Sequence, residues 1–325
     1  MRQHFIPILH LKHFIGPNPK GQVWTYDAHT GKVFSGTPEN TAVQTHFYST
    51  ERPDGTMDTQ LEEFLSEIEG SAAPVYEALL RGEIPKDSQE RAYFSMFLAL
   101  MYVRTPAMRR MTAEIIGRQI QIMQYAYGSN PKAFDALLQR LEKKQGLSFD
   151  AEARSLLQEA MINPADYIFE IPQEHTFEGL HAADHLAPIL HQMRWSLASS
   201  VHGFFITCDN PVVRHVDPKT CHPIYGDHGF FNKTAEVIFP LSPKLLLLMS
   251  WNENVPELGT FKGDHVGLIN RSLAAHSDRY LYAHVHHKRL IQLAAEFRDM
   301  RPEMTTKGFG PDKFGEIKVL RRRQK

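Results

Sequence analysis

Two cysteines, Cys208 and Cys221, are all that the 325 residues carry. A disulfide framework is therefore excluded, and the usage suits a reducing compartment. Long apolar runs are also missing. The most apolar internal stretch, Leu245 to Met249, falls far short of the ~20 residues that span a bilayer. Met1 to Lys12 is apolar in part, but it holds His4, Pro7 and His10 and no small-residue cleavage site. It does not read as a signal peptide, so a cytoplasmic location without a membrane partner is expected. Neither sign of charge dominates: 36 Lys+Arg stand against 37 Asp+Glu, a formal net charge of −1. That balance gives no global attraction to nucleic acid, and no basic helix with interleaved aromatics stands out. The Arg104/Arg109/Arg110 and Arg321 to Arg323 clusters are short enough to be solvated faces. No G-x-x-x-x-G-K-[ST] loop, no G-x-G-x-x-G after a strand and no G-x-S-x-G elbow occurs, which argues against P-loop, dinucleotide-binding and α/β-hydrolase chemistry.

What is present is enough apolar residue, 42%, to bury a core without staples. The 18 histidines scatter along the chain. Residues 1–50 carry strand signals: Gln22 to Asp27 alternates, a turn follows at Gly31-Lys32, and Lys32 to Ser35 returns as a hairpin. From Met57 to Gly82 the period becomes helical, with Leu61, Phe64, Leu65 and Ile68 on one face and Pro74 expected to break or restart it. Further helices are expected at 86–103, with Phe94, Phe97, Leu98 and Met101 as the stripe, and at 106–127, 131–145, 150–161 and 188–200. Beyond Gly203 short apolar runs read as strands at 204–207, 236–239 and 245–249, with a turn at Pro240 to Pro243. A helix at 264–276, a strand at 280–284 and a helix at 288–300 follow. The expected fold is α+β in a single domain over 1–325. Strands from 1–50 and from 203–300 form one sheet, the helical segment 57–200 packs beside it, and 301–325 is a flexible tail.

Three segments resemble a bacterial family known as domain of unknown function 4238. They are His4-Phe5-Ile6-Pro7 with Leu11, Phe14, Trp24 and Tyr26; Phe97 to Arg104-Thr105-Pro106; and Phe205-Ile206-Thr207-Cys208-Asp209-Asn210-Pro211-Val212, followed by Ile238 to Pro243. Asn270 and Arg279-Tyr280 complete the pattern, and Cys208 stands where a serine is expected. The resemblance implies one compact unit and brings no activity or cofactor with it.

Thr207-Cys208-Asp209-Asn210-Pro211 is the strongest local candidate for chemistry. An apolar strand feeding Asp-Asn-Pro sets two short polar side chains at a strand end, Asp209 as base or ligand and Asn210 to orient a substrate. The same residues also make Asx turns. His4 is a second candidate, an acid–base partner for Asp209 if strand ends converge, against the plainer role of a histidine bonded to backbone. Arg104, ending an apolar helix, suits a phosphate or carboxylate group of a ligand, or plainly complements the helix C-terminus or pairs with one of the acidic residues near 62–69. Metal-capable groupings are weak. His181/Asp184/His185 lacks the Glu of H-E-x-x-H, Cys208/His215/Cys221/His222 has no C-x-x-C, and His284/His286/His287 only alternates. No cofactor, metal or partner is specified.

Two functions follow as expectations. One is a hydrolase on an anionic substrate such as a phosphodiester, with His4 and Asp209 moving protons, Asn210 orienting and Arg104 binding. The other is a non-catalytic binding or regulatory module in which Trp24, Tyr26, Phe230 and Phe231 form a contact patch.

Overall fold

In the computed structural model the described residues are 2–17, 20–45, 47–48, 50–51, 57–164, 171, 177–222, 226–227, 229–299, 305–306 and 317–318. In chain order they form β1 (Arg2–His4), α1 (Ile8–Leu11), β2 (Val23–Asp27), β3 (Val33–Gly36), β4 (Val43–Thr45), β5 (Thr50–Glu51), β6 (Met57–Asp58), α2 (Gln60–Leu80), α3 (Ser88–Val103), α4 (Pro106–Gly128), α5 (Pro131–Gln145) and α6 (Ala151–Ile162). There follow α7 (Ala182–Gln192), β7 (Arg194–Ser200), β8 (Thr207–Cys208), β9 (Val213–His215), β10 (Glu236–Ser242), β11 (Leu245–Ser250), β12 (Leu258–Phe261), α8 (Gly263–His276), β13 (Tyr280–Ala283), α9 (Lys288–Glu296), β14 (Thr305–Thr306) and β15 (Ile317–Lys318). The chain divides into two compact units, Met1–Arg109 with Phe177–Lys325, and Arg110–Thr176.

The first unit is α+β. The N-terminal hairpin β2–β3 joins C-terminal strands in a four-stranded sheet of order β3-β2-β13-β8, as expected of a sheet built from both ends. A second, five-stranded sheet of order β12-β7-β11-β10-β9 is drawn wholly from the C-terminal half. Its faces divide by the period of two. Trp195, Leu197, Val237, Phe239, Leu247 and Met249 pack into the core shared with α2, α3 and α7. Ala198, Val213, Ile238 and Leu246 pack into a separate core with α8, α9 and the four-stranded sheet.

Two helix expectations need correction. Pro74 neither breaks nor restarts α2, which runs unbroken from Gln60 to Leu80. The ring crowds the Gly70 carbonyl and Pro74 has no N–H to bond it, but Ala72, Val75, Tyr76 and Leu79 on either side are buried in the core and hold the helix together, while Pro74 itself is exposed. The helix expected over 188–200 is instead the end of α7 followed by strand β7, paired antiparallel with β11 and parallel with β12. Trp195, Leu197 and Ala198 are buried on both faces of this internal strand, and that hides the alternation. The turn expected at 240–243 also shifts. Strand β10 continues through Pro240 to Ser242 with an irregularity in register, and the reversal falls at Pro243-Lys244. Phe204 to Ile206 lies outside any strand. The tail expected from residue 301 lies outside the described residues, except for the paired β14 and β15.

The second unit comprises the part of α4 from Arg110 with α5 and α6. Asn130 caps α5 by accepting from the Ala133 N–H at 3.2 Å, and Gly146 ends it at φ +67°. Gly128 lets the end of α4 approach α6, since a Cβ there would lie 2.7 Å from the Met161 Cβ. Arg154 bridges Asp135 and Glu142 at 3.3 and 3.2 Å.

Candidate functional site

Asp209 and Asn210 follow β8 and meet the corner between α8 and β13. Asp209 is 1% exposed. Its Oδ1 accepts from the Asp278 N–H at 2.8 Å, and its Oδ2 accepts from the N–H groups of Arg279 and Tyr280 at 2.7 and 2.8 Å. Burial, with Asp278 adding repulsion, pushes the carboxyl up to about 7 against the pull of those three donors. Asn210 Nδ2 donates to the His276 carbonyl at 3.1 Å. Its Oδ1 is buried without a hydrogen-bond partner among the described residues. Both side chains thus tie down the C-terminal end of α8.

That helix end carries groups that no local motif announces. Ser272 Oγ lies 2.6 Å from Nε2 of His215, the last residue of β9. His276, one turn on, donates its Nδ1–H to the Ser272 carbonyl at 2.9 Å, and its ring stands nearly perpendicular to that of His215 at 5.5 Å. Ser272, His215 and His276 are all partly exposed. Burial, then the charges of His276 and Arg214, lowers His215 to about 4, and burial lowers His276 as well. Arg214 is held aside: its Nη2 pairs with Asp227 at 2.7 Å and its Nη1 donates to the Gly229 carbonyl.

His4 and Arg104 belong to a different neighbourhood, linked through Glu69. Arg104 is 2% exposed, and its Nη1 donates to Glu69 Oε1 at 2.8 Å. Its Nε is buried without a hydrogen-bond partner among the described residues. His4 is half-buried on β1, donates Nε2–H to the Glu39 carbonyl at 3.2 Å, and feels the Glu69 charge. Its pKa is lowered by burial.

Two further polar assemblies escaped sequence reasoning. His10, fully buried on α1, shares a hydrogen bond through Nδ1 with Tyr76 Oη at 2.9 Å and through Nε2 with Thr207 Oγ1 at 2.8 Å. Tyr76 donates its hydroxyl proton to the Leu241 carbonyl at 2.8 Å. That sets the tautomer: Nδ1 carries the hydrogen and Nε2 accepts from Thr207. Asp27 takes a two-pronged grip from Arg279 at 3.0 and 2.7 Å. The same residue's N–H therefore binds Asp209 while its guanidinium binds Asp27. Only long-range pairing brings these partners together.

Of the aromatic patch, Tyr26 is 1% and Phe231 67% exposed, while Trp24 and Phe230 are half-buried. Among the described residues no three His, Cys, Asp or Glu side chains converge to hold a metal, and no helix is long and apolar enough to cross a membrane. A family model described as a protein of unknown function (DUF4238) matches residues 2–287. No curated protein and no solved structure matches the chain.

Proposed function

The chain belongs to the DUF4238 family of proteins of unknown function, and on that premise we propose a hydrolase in which Ser272 is the nucleophile and His215 its base. The observation that carries this reading is the 2.6 Å Ser272 Oγ–His215 Nε2 contact between partly exposed side chains. His215, lowered to about 4, is neutral at pH 7, the form that accepts a proton. Ser272 Oγ attacks the acyl carbon or phosphorus of an ester and passes its proton to His215 Nε2. That proton then leaves with the departing alcohol. Water, deprotonated by the same imidazole, hydrolyses the seryl ester and restores both groups. Asp209 and Asn210 act as positioning residues, holding the end of α8 through the 278–280 amides and the His276 carbonyl. Proton transfer passes from the expected His4–Asp209 pair to His215, because both Asp209 oxygens already accept backbone N–H groups.

The experiment is turnover of p-nitrophenyl acetate and bis(p-nitrophenyl) phosphate by the full chain. Its two arms separate carboxylic from phosphoric esters. Ser272→Ala and His215→Ala are each expected to lower kcat by about 100-fold or more with an unchanged melting curve, and the wild-type acid limb should fall near pH 4. Wild-type turnover that survives Ser272→Ala sinks the proposal. No turnover of either ester by the wild-type chain also counts against it, and favours the non-catalytic module.

A further inference from the structure

The four-stranded sheet ends in a surface that the proposed hydrolase chemistry leaves unused. Register places Ala283 of β13 opposite Trp24 of β2, so the chain leaving β13 at His284 to His287 runs directly beside the aromatic residues of β2. The His286 ring lies 4.9 Å from Trp24 and stacks within 11° on Tyr26 at 6.2 Å. Phe204 stands edge-on to His284 at 4.8 Å and to His287 at 6.1 Å. The segment is held in place: Tyr26 donates its hydroxyl to the Val285 carbonyl at 3.1 Å and accepts the His287 N–H at 2.7 Å.

Three cations follow this segment or act on it. Lys288 and Arg289 follow at the start of α9 and are exposed. Lys244 reaches in from the β10–β11 turn, donating to the Gly203 carbonyl at 2.7 Å, and its charge acts on His284. None of the three is in an ion pair with a described carboxylate. Residues dispersed over the sequence thus form one aromatic and cationic surface on a chain whose net charge is only −1.

We propose that this surface binds single-stranded nucleic acid, with bases stacking on exposed His286 beside Trp24 and phosphates meeting Lys244, Lys288 and Arg289. Unpaired bases present the flat faces that held aromatic rings accept, and backbone phosphates match unpaired cations. A lipid surface fits less well. Trp24 and Phe204 are half-buried, so they offer no apolar wedge for insertion. Binding here does not depend on Ser272 or His215.

The test is fluorescence anisotropy of the full chain with labelled oligo-dT and oligo-U of about 20 nucleotides, longer than the ~4–16-nucleotide sites common for such surfaces. Binding is expected, with log K falling against log salt at a slope of about −2, for three phosphate contacts on a single strand. The Lys244→Glu, Lys288→Glu, Arg289→Glu triple variant should bind at least about tenfold more weakly, with a flatter slope. His286→Ala should lose about fivefold or more with the slope unchanged. Arg154→Glu, in the other compact unit, is the control and should bind as wild type. The proposal falls if the wild-type chain shows no binding at 100 µM oligonucleotide, or if the triple variant binds like wild type. It also falls if a blunt duplex or phosphatidylserine vesicles bind as tightly while His286→Ala has no effect, which would mark a site for any polyanion.

Discussion

Tyr76 illustrates how much one hydroxyl carries when burial is complete. It accepts from His10 Nδ1–H and donates to the Leu241 carbonyl, and its environment pushes its pKa well above the usual phenol range through burial. Tyr76→Phe keeps the ring contacts with Phe94, Phe97 and Phe239 but leaves a buried donor and a buried acceptor without partners. A cost of about 3 kcal/mol is expected, since each orphaned group costs about 1–3 kcal/mol. Urea unfolding at pH 7 measures it, and a loss below about 0.5 kcal/mol would mean the network contributes little. Coupling to His10→Leu in a double-mutant cycle should recover part of the loss, because removing both partners is cheaper than orphaning one. At this scale the sequence singled out Asp209 and Asn210 but not the Ser272–His215 contact beside them. Asp209 and Asn210 stand out locally because Asp-Asn-Pro ends an apolar run. Ser272 and His215 are 57 residues apart and carry no spacing signal, as only the packing of α8 against β9 makes them neighbours. The same holds for His10 and Thr207, and for Asp27 and Arg279.

Elements were more legible than their partners. The Phe94, Phe97, Leu98 and Met101 stripe is buried on α3 as its period requires, and Asp87 caps that helix by accepting from Gln89 and Glu90 N–H. The β2–β3 hairpin follows from alternation plus the turn at Gly31, whose φ is +71°. Sheet order could not be read, because β7, β10 and β11 are buried runs whose two apolar faces conceal both period and direction. Pro74 misled for a different reason: a local breaker is overridden where tertiary packing holds the helix on both sides of it. α2 loses the hydrogen bond to the Gly70 carbonyl and takes the crowding of the ring, and the burial of Ala72, Val75, Tyr76 and Leu79 outweighs both. Pro74→Ala restores that hydrogen bond and removes the crowding, and should stabilise the protein by about 3 kcal/mol. Thermal and urea unfolding would register it. A destabilised variant would show instead that the proline ring packs usefully on α2.

Across the whole molecule, buried titratable groups on separate elements set how stability responds to pH, and they pull in opposite directions. Burial lowers His10 well below its usual value, and lowers His13 and His215 to about 4. His4, His276 and His284 are lowered too, again mainly by burial. Each of these binds its proton more readily when unfolded, so its contribution is present above the unfolded value of about 6.5 and fades as pH falls toward the folded one. Asp209 does the reverse. Raised to about 7 from 3.8, it binds a proton more readily when folded, and its contribution is present below about 4 and lost as pH rises through 7. Asp27 acts only at the acid end. Burial raises it, but Arg279 and Thr30 outweigh that and hold it at about 2, so its contribution disappears between about pH 4 and 2. That difference amounts to about 2 kcal/mol at ~1.4 kcal/mol per pKa unit. The imidazoles outnumber the one opposing carboxyl, so wild-type stability should fall from pH 7 to pH 4.5. Asp209→Asn removes the opposing group. It lowers stability at every pH, since an amide cannot accept all three N–H groups, but its readout is the slope: the fall from pH 7 to 4.5 should be steeper than in wild type. Urea titrations at pH 7, 6, 5 and 4.5 compare the two. Parallel curves would mean that the three backbone donors already keep Asp209 ionised across this range, leaving it a fixed charge in the corner that holds Ser272 and His276.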